Sequence, residues 1–431
     1  MYRKIMQFLE SWKKSAHRKP LILQGARQVG KTYTILEFGR RHYDNVAYFN
    51  FETNPKLNRT FEENISPDYL IPILSHIAGQ TIVKGRTLIV FDEVQLCERA
   101  LTSLKYFCED APDYHIAALG SLLGVAVSRA KFSFPVGKVD MKTLYPMDME
   151  EFMLAMGEDA LVKQIRKCFA ADTPMPDALH DAAMQLYRQY LVVGGMPECV
   201  LLFKETKDYL LVRHTQDTIL VSYLNDMSKY NTVNEIKKTR LAYDNITVQL
   251  SKKNTRFQYK LIKKGGRASE FENAIEWLCL SGIVSRVYKV EQVRKPLENY
   301  RDIDAFKIYV SDLGLLCAKK DLAANDVLYM VEELDDFKGG MAENYVDVQL
   351  SVNGYKTYYW ESARGAEVDF IIQRDGQLIP VEVKSADNTR AKSLKVYMDA
   401  YKPAYAIKLS AKNFGFEDNK KTVPLYAAFC I

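Results

Sequence analysis

Apolar and polar positions along this 431-residue chain change period several times, and each change marks a different element. Near the N-terminus the short apolar run Leu21–Leu23 gives way to a helix-like stretch. The run Leu88–Phe91 in "RTLIVFDEVQ" is continuously apolar, the pattern of a parallel strand covered on both faces. "NVAYFNFE" (Asn45–Glu52) and "YHIAALGS" (Tyr114–Ser121) read as further strands of the same sheet. From "YPMDMEEFMLAMGEDALVKQIRKCF" through Asp181–Tyr223 the spacing is helical. "VVGGMPECV" (Val192–Val200) interrupts it with two glycines and a proline, which predicts a tight turn between helices.

Helical spacing returns at Phe271, Ala274, Ile275, Leu278 and Leu280, and alternation begins after Gly282 in "GIVSRVYKV". Helices ending in a helix–Gly–β-ribbon resemble a winged helix-turn-helix. Beyond Ser311 a new α/β pattern appears: an amphipathic helix over Phe337–Gly354, then the strands "TYYWES" and "EVDFIIQRDGQLIPVEVKS", hinged at Arg374-Asp375-Gly376. In "LIPVEVKS" (Leu378–Ser385) Val381 and Val383 share one face of the strand, and Glu382 and Lys384 share the other.

Length is too great for one ordinary core. The patterns predict a multidomain α/β chain with four parts. Residues 1–160 form a parallel-sheet nucleotide-binding domain and 161–228 a helical lid. Residues 229–310 form a winged-helix-like domain, and 311–431 a second α/β domain. Hydrophobic residues make up 48% and charged residues 26%, the balance of a soluble protein. No run approaches the ~18 apolar residues of a membrane span, so no membrane partner is expected. The first twenty residues lack an apolar signal region, so export is not expected. Seven cysteines stand singly with no CxxC pair, arguing against a disulfide framework or zinc site and for a cytoplasmic protein.

Charge is unevenly placed. Between Lys229 and Val310 there are 17 Lys and Arg against 9 Asp and Glu, a surplus of +8 in a chain whose formal net charge is +5. Lys252, Lys253, Arg256, Lys260, Lys263, Lys264 and Arg267 would supply phosphate contacts if the partner is DNA. A solvated face of a helical domain is the alternative reading.

The sharpest local signal is Gly25-Ala26-Arg27-Gln28-Val29-Gly30-Lys31-Thr32, which fits G-x-x-x-x-G-K-[ST] between a strand and a helix. Backbone N–H groups there would cradle the phosphates of ATP, Lys31 would reach the β- and γ-phosphates, and Thr32 would offer its hydroxyl to Mg²⁺. Downstream, Asp92 would hold the Mg²⁺ and Glu93 would polarise the attacking water. Ser121, at the end of its strand, is a candidate γ-phosphate sensor, although Gly-Ser is also ordinary turn chemistry.

Together "GARQVGKT", "LIVFDEVQ", "ALGSLLGV", "FPVGKVDMKTLYPMDMEEF", "YLVVGGMPECV", "SDLGLL", "KGGMAENYVDVQL" and "ARGAEVDFIIQRDGQLIPVEVKS" resemble prokaryotic AAA-type ATPases with a C-terminal domain of unknown function numbered 4143. The resemblance implies ATP hydrolysis with Mg²⁺ and nucleotide-driven domain rearrangement. Where relatives usually carry Gly-Arg after the sensor strand, this chain has Gly137-Lys138.

In the C-terminal part, Asp369 on one strand and Glu382-x-Lys384 on its neighbour resemble the restriction-endonuclease-like PD-(D/E)xK arrangement. Asp369 and Glu382, with Glu343 from the preceding helix, would hold Mg²⁺ or Mn²⁺, and Lys384 would assist the attacking water. An exposed ion pair is the plain alternative. Two functions follow as expectations. One is an ATPase coupled to DNA and to a nuclease-like domain. The other is a nucleotide-gated switch or scaffold that binds a protein partner, or a second copy of the chain, without cleavage.

Overall fold

The computed structural model describes residues 1–121, 134–229, 233–252, 256–385 and 392–431. Lys253, one of the expected phosphate contacts, and the part of "ALGSLLGV" after Ser121 lie outside these. The described chain divides into two compact units: Arg3–Tyr145 with Leu280–Gly282, and Pro146–Cys279 with Ile283–Ile431 and Met1–Tyr2.

The first unit is built on a five-stranded sheet of β1 (Leu21–Gln24), β2 (Asn45–Asn50), β3 (Thr87–Asp92), β4 (His115–Gly120) and β5 (Asp140–Thr143). Its order is β2-β3-β4-β1-β5, with every pairing parallel. Strands β3 and β4 are buried along their whole length, which is why they read as continuous apolar runs. Ile22, Phe49, Ile89, Phe91 and Ile116 point into a core closed by Leu70, Leu74 and Leu104 of the flanking helices. Register sets Asn50 beside Asp92 and Gln24 beside Gly120, so the C-terminal ends of β1 to β4 share one edge. In an open parallel sheet that edge is where ligands bind.

The second unit joins helices to an eight-stranded mixed sheet. Its strands are β6 (Val284–Val290), β7 (Arg301–Val310), β8 (Tyr358–Glu361), β9 (Glu367–Arg374), β10 (Gln377–Val383), β11 (Ala406–Ser410), β12 (Gly415–Glu417) and β13 (Lys420–Pro424). The order is β12-β13-β11-β10-β9-β8-β6-β7. The β9–β10 hairpin turns on Asp375 and Gly376, both at positive φ, with Arg374 paired to Gln377. This is the two-residue hairpin that Asp-Gly favours.

Two expected boundaries move. The ribbon β6–β7 follows helices Val233–Leu250, Tyr259–Ile262 and Ala268–Leu280 as expected. However, β6 also pairs in parallel with β8, from Tyr288↔Tyr358 to Val290↔Trp360. The boundary expected at 310 therefore runs through one continuous sheet, and the ribbon is not a free wing. The first unit ends at Tyr145 rather than 160, because the next segment packs within the second unit. There Asp148 and Glu151 close a capping box on helix Met149–Met156, Phe152 meets Tyr190 edge-on, and Met149 N–H donates to Gln349 Oε1 at 3.1 Å.

The expected turn between helices is present. Helix Asp177–Val193 ends at Gly194-Gly195 and helix Pro197–Thr206 follows. Met147 N–H donates to the Gly195 carbonyl at 2.7 Å, and a Cβ on Gly195 would lie 2.0 Å from the Met147 carbonyl oxygen. Only glycine permits that approach. Among the described residues no helix is long and apolar enough to cross a membrane.

Candidate functional site

The loop from Gly25 to Gly30 leaves β1 with Gly25 at φ +149°, Gln28 at +66° and Gly30 at +89°, so its N–H groups need not follow one regular direction. Helix Lys31–His42 starts at its end. A Cβ on Gly25 would sit 2.1 Å from the Leu144 carbonyl oxygen, so the loop's entry lies flush against the chain leaving β5. Lys31 is buried and its Nζ donates to the carbonyls of Gly25 and Ala26 at 2.9 and 2.8 Å. From the other side the buried Arg3 guanidinium donates to the carbonyls of Val29 and Tyr145 at 2.9 and 2.7 Å.

At the end of β3, Asp92 is nearly enclosed. Its Oδ2 accepts from Thr32 Oγ1 at 2.9 Å and from the Tyr48 hydroxyl at 2.7 Å, while Oδ1 accepts from Glu93 N–H at 2.9 Å. Thr32 and Asp92 thus present a hydroxyl and a carboxylate together, the oxygen donors a P-loop Mg²⁺ requires. Glu93 sits in the left-handed region, φ +51°. Its side chain is held by the Gln95 amide. Burial raises its carboxyl above the usual range, partly offset by Gln95 and reinforced by the Asp92 charge. Such a shift moves a carboxylate toward general-base use. Ser121 is buried at the end of β4, next to β1 in the sheet.

The structure also brings together the C-terminal residues, on a buried face rather than a wet one. Glu382 is 2% exposed and Asp369 7%. Asp369 Oδ2 accepts from Val383 N–H at 2.7 Å, which ties β9 to β10 beside Glu382. Lys384 Nζ lies 2.6 Å from Glu382 Oε1, and Glu382 Oε2 is buried with no hydrogen-bond partner. Burial holds the Asp369 carboxyl well above its ordinary value, with Glu343 and Glu382 adding to the rise. Burial likewise raises Glu382, opposed by Lys384.

Glu343 takes a different part from the metal ligand expected. Its Oε2 accepts from Lys307 Nζ at 3.1 Å and from the Tyr309 hydroxyl at 2.9 Å. Among the described residues no group of three or more His, Cys, Asp or Glu could hold a metal ion. The three-carboxylate set is not assembled, because the Lys307 ammonium has entered it. Asp369 and Glu382, with its unpartnered oxygen, remain as a smaller donor pair that suits one hard cation carrying its own waters.

Residues 17–153 match a family described as an AAA domain. The C-terminal 338–428 match a domain of unknown function, DUF4143, and 184–326 match another, DUF8612. The chain thus carries an AAA-domain match followed by a DUF4143 match. No curated protein matches it. Of the solved structures, the Aeropyrum pernix ORC2 protein in ADPNP-ADP complexes aligns at 11% identity. That alignment covers 76% of this chain and 95% of the other, with a TM-score of 0.35. The Aeropyrum pernix ORC1 protein in complex with DNA aligns at 12% identity over 76% and 93% of the two chains, with a TM-score of 0.28.

Several residues of these sites escape sequence reasoning. In the AAA domain, Tyr48 and Asn50 lie on a stretch legible only as a strand. Asn50 Nδ2 donates to the Tyr48 hydroxyl at 3.1 Å, which in turn donates to Asp92. Two polar side chains two apart at a strand's C-terminal end were the available signal. Lys307 and Tyr309 show the same spacing on β7, yet they fall within the DUF8612 match while the residues they bind lie in DUF4143. Lys138, aligned with an expected arginine position, pairs with Glu109 at 2.9 Å. Of the expected basic contacts, Lys252, Arg256, Lys260, Lys263, Lys264 and Arg267 are exposed, and Lys263 pairs with Glu270 at 3.3 Å.

Proposed function

We propose that this chain is an Mg²⁺-dependent ATP hydrolase that also engages DNA through its second unit. The observation that carries the hydrolase reading is the Thr32–Asp92 contact with Glu93 adjacent and raised by burial. Gly25 to Gly30 cradle the phosphates, Lys31 leaves its own loop's carbonyls for the β- and γ-phosphates, and Thr32 and Asp92 hold Mg²⁺. Mg²⁺ held by Thr32 and Asp92 would offset the charge of the transferring group. Glu93 takes a proton from the water, and Ser121 senses the γ-phosphate. The deciding measurement is phosphate release by the purified chain with Mg²⁺ and ATP, compared with Lys31→Ala. Equal rates in the two proteins would remove the reading.

The DNA part is supported by the local charge surplus and by an open cleft of about 490 Å³ lined by Arg256, Lys260 and Arg267 with Phe257 and Tyr259, against a single acid, Asp304. Cations beside aromatic rings suit a phosphate backbone with stackable bases. Binding to a fluorescent oligonucleotide should weaken steeply with salt, and a flat salt response would count against DNA.

For the DUF4143 domain, Asp369, Glu382 and Lys384 support a nuclease-like arrangement in which the two carboxylates hold one Mg²⁺ or Mn²⁺. The loss of Glu343 to Lys307 and Tyr309 favours the second reading, a domain that binds a partner without cutting. DNA incubated with the protein and Mn²⁺ separates them: cleavage abolished by Lys384→Ala supports the first, and intact DNA the second.

A further inference from the structure

Lys307 has no exposed surface, yet its ammonium stands among three carboxylates. Nζ is 3.1 Å from Glu343 Oε2 and 3.9 Å from Asp369 Oδ1, and it is ion-paired with Glu367. Glu343 is fixed a second time by the Tyr309 hydroxyl from two residues along the same strand. A solvated surface pair would not look like this, since Lys307 and Asp369 have given up water and must be compensated locally, while Glu343 and Glu367 stay partly exposed.

The cluster's two halves are differently supplied. Around Lys307, Glu343 and Glu367 already have a cation. Around Glu382, one oxygen is on Lys384 at 2.6 Å and the other is buried with no partner. Asp369 stands between the halves, with Oδ2 committed to Val383 N–H. Four carboxylates face the ammonium groups of Lys307 and Lys384, and Lys408 acts on Glu382 from the neighbouring strand β11. With these cations in place the remaining negative surplus is met by a single divalent ion, and a second would overcompensate it around the enclosed Asp369 and Glu382.

We propose that Lys307 is the resident second cation of this carboxylate cluster. It holds Glu343 and Glu367, so that the site admits no more than one divalent ion, at Asp369 and Glu382. This rests on the metal reading of the DUF4143 site given above. It adds that the count of ions is set by a residue on β7, outside the DUF4143 match, so that the cluster is complete only when the ribbon β6–β7 has joined the sheet.

The test is the number of Mn²⁺ ions bound per chain by the full-length, nucleotide-free protein, read from the electron paramagnetic resonance signal of free Mn²⁺. Lys307→Met is expected to bind one ion more than wild type, and Glu382→Gln one fewer. Equal numbers for Lys307→Met and wild type overturn the inference, whatever Glu382→Gln does. Equal numbers for Glu382→Gln and wild type remove instead the metal reading on which it rests. Should Lys307→Met fail to fold, Glu343→Gln decides: a Mn²⁺ number unchanged from wild type sustains the inference, and loss of an ion overturns it.

Discussion

The Thr32 hydroxyl donates to the Asp92 carboxylate across 2.9 Å, joining the start of the helix after the glycine loop to the end of β3, the neighbour of β2 in the sheet. The two residues are sixty positions apart and belong to the two motifs most legible in the chain. Their contact places together the hydroxyl and carboxylate proposed to hold Mg²⁺, and Glu93 follows from the next peptide.

Glu93→Gln should keep the shape and hydrogen-bonding reach of the side chain while removing its basicity. Expected is a fall in kcat of roughly 10²–10⁴-fold with nucleotide affinity retained. Single-turnover hydrolysis alongside binding of a fluorescent ATP analogue checks both. Parallel loss of binding would mean that Glu93 shapes the pocket instead of acting on water.

Tyr48 donates to Asp92 at 2.7 Å, and burial first, then Asp92 and Glu93, push its hydroxyl pKa up to about 12 against the opposing Asn50 contact. It stays a donor throughout the physiological range. Tyr48→Phe removes one bond orienting a charged ligand, worth about 1 kcal/mol at a half-exposed position. The Mg²⁺ concentration for half-maximal hydrolysis should rise about fivefold, with maximal rate little changed. A Mg²⁺ titration at fixed ATP measures it.

Lys307→Ala would leave the buried Asp369 and the partly buried Glu343 and Glu367 without their shared cation. Burial acts to lower the pKa of this lysine, but those carboxylates outweigh it and hold it above its ordinary value, so the ion pair persists across the accessible pH range. Removing one partner of such a set costs about 3–5 kcal/mol. Urea unfolding followed by tryptophan fluorescence should show that loss, and adding Glu343→Gln should recover part of it.

Asp347 is buried beneath the same sheet, where it accepts from Ser285 and, at 3.2 Å, from Thr357. Burial raises its pKa to about 6, against the opposing pull of those two hydroxyls. The folded state therefore binds this proton more readily than the unfolded chain. Its contribution to stability is full below about pH 4 and is lost as pH rises through 6, a change of about 3 kcal/mol. Asp347→Asn should remove that share of the decline. Melting temperatures of both proteins at intervals from pH 4 to 7 test it, and parallel curves would exclude Asp347 as the source.

Gly195→Ala would set a methyl 2.0 Å from the Met147 carbonyl oxygen, which belongs to the chain that Gly195 itself anchors. Backbone must move, at a cost of about 1–3 kcal/mol. A lower melting temperature with unaltered ATP binding is expected, and an unchanged one would show the turn to be adaptable.

What was legible in the chain was local. Gly25 to Thr32, the apolar run ending at Asp92 and the Asp375-Gly376 hairpin each lie within a dozen residues, so spacing and turn chemistry alone determined them. The sequence also determined that Glu382 and Lys384 share a strand face, since side-chain alternation is a property of the backbone. It could not decide that this face is buried, because burial depends on what covers it. Nor could it reveal that β6 pairs with β8, which carries Lys307 and Tyr309 into a site whose other residues lie 34 or more positions away. Pairing between distant strands is settled by which sheet edge is free and which side chains pack across it. Tertiary structure alone therefore decided that Glu343 pairs with a lysine and that Asp92 is steadied by Tyr48.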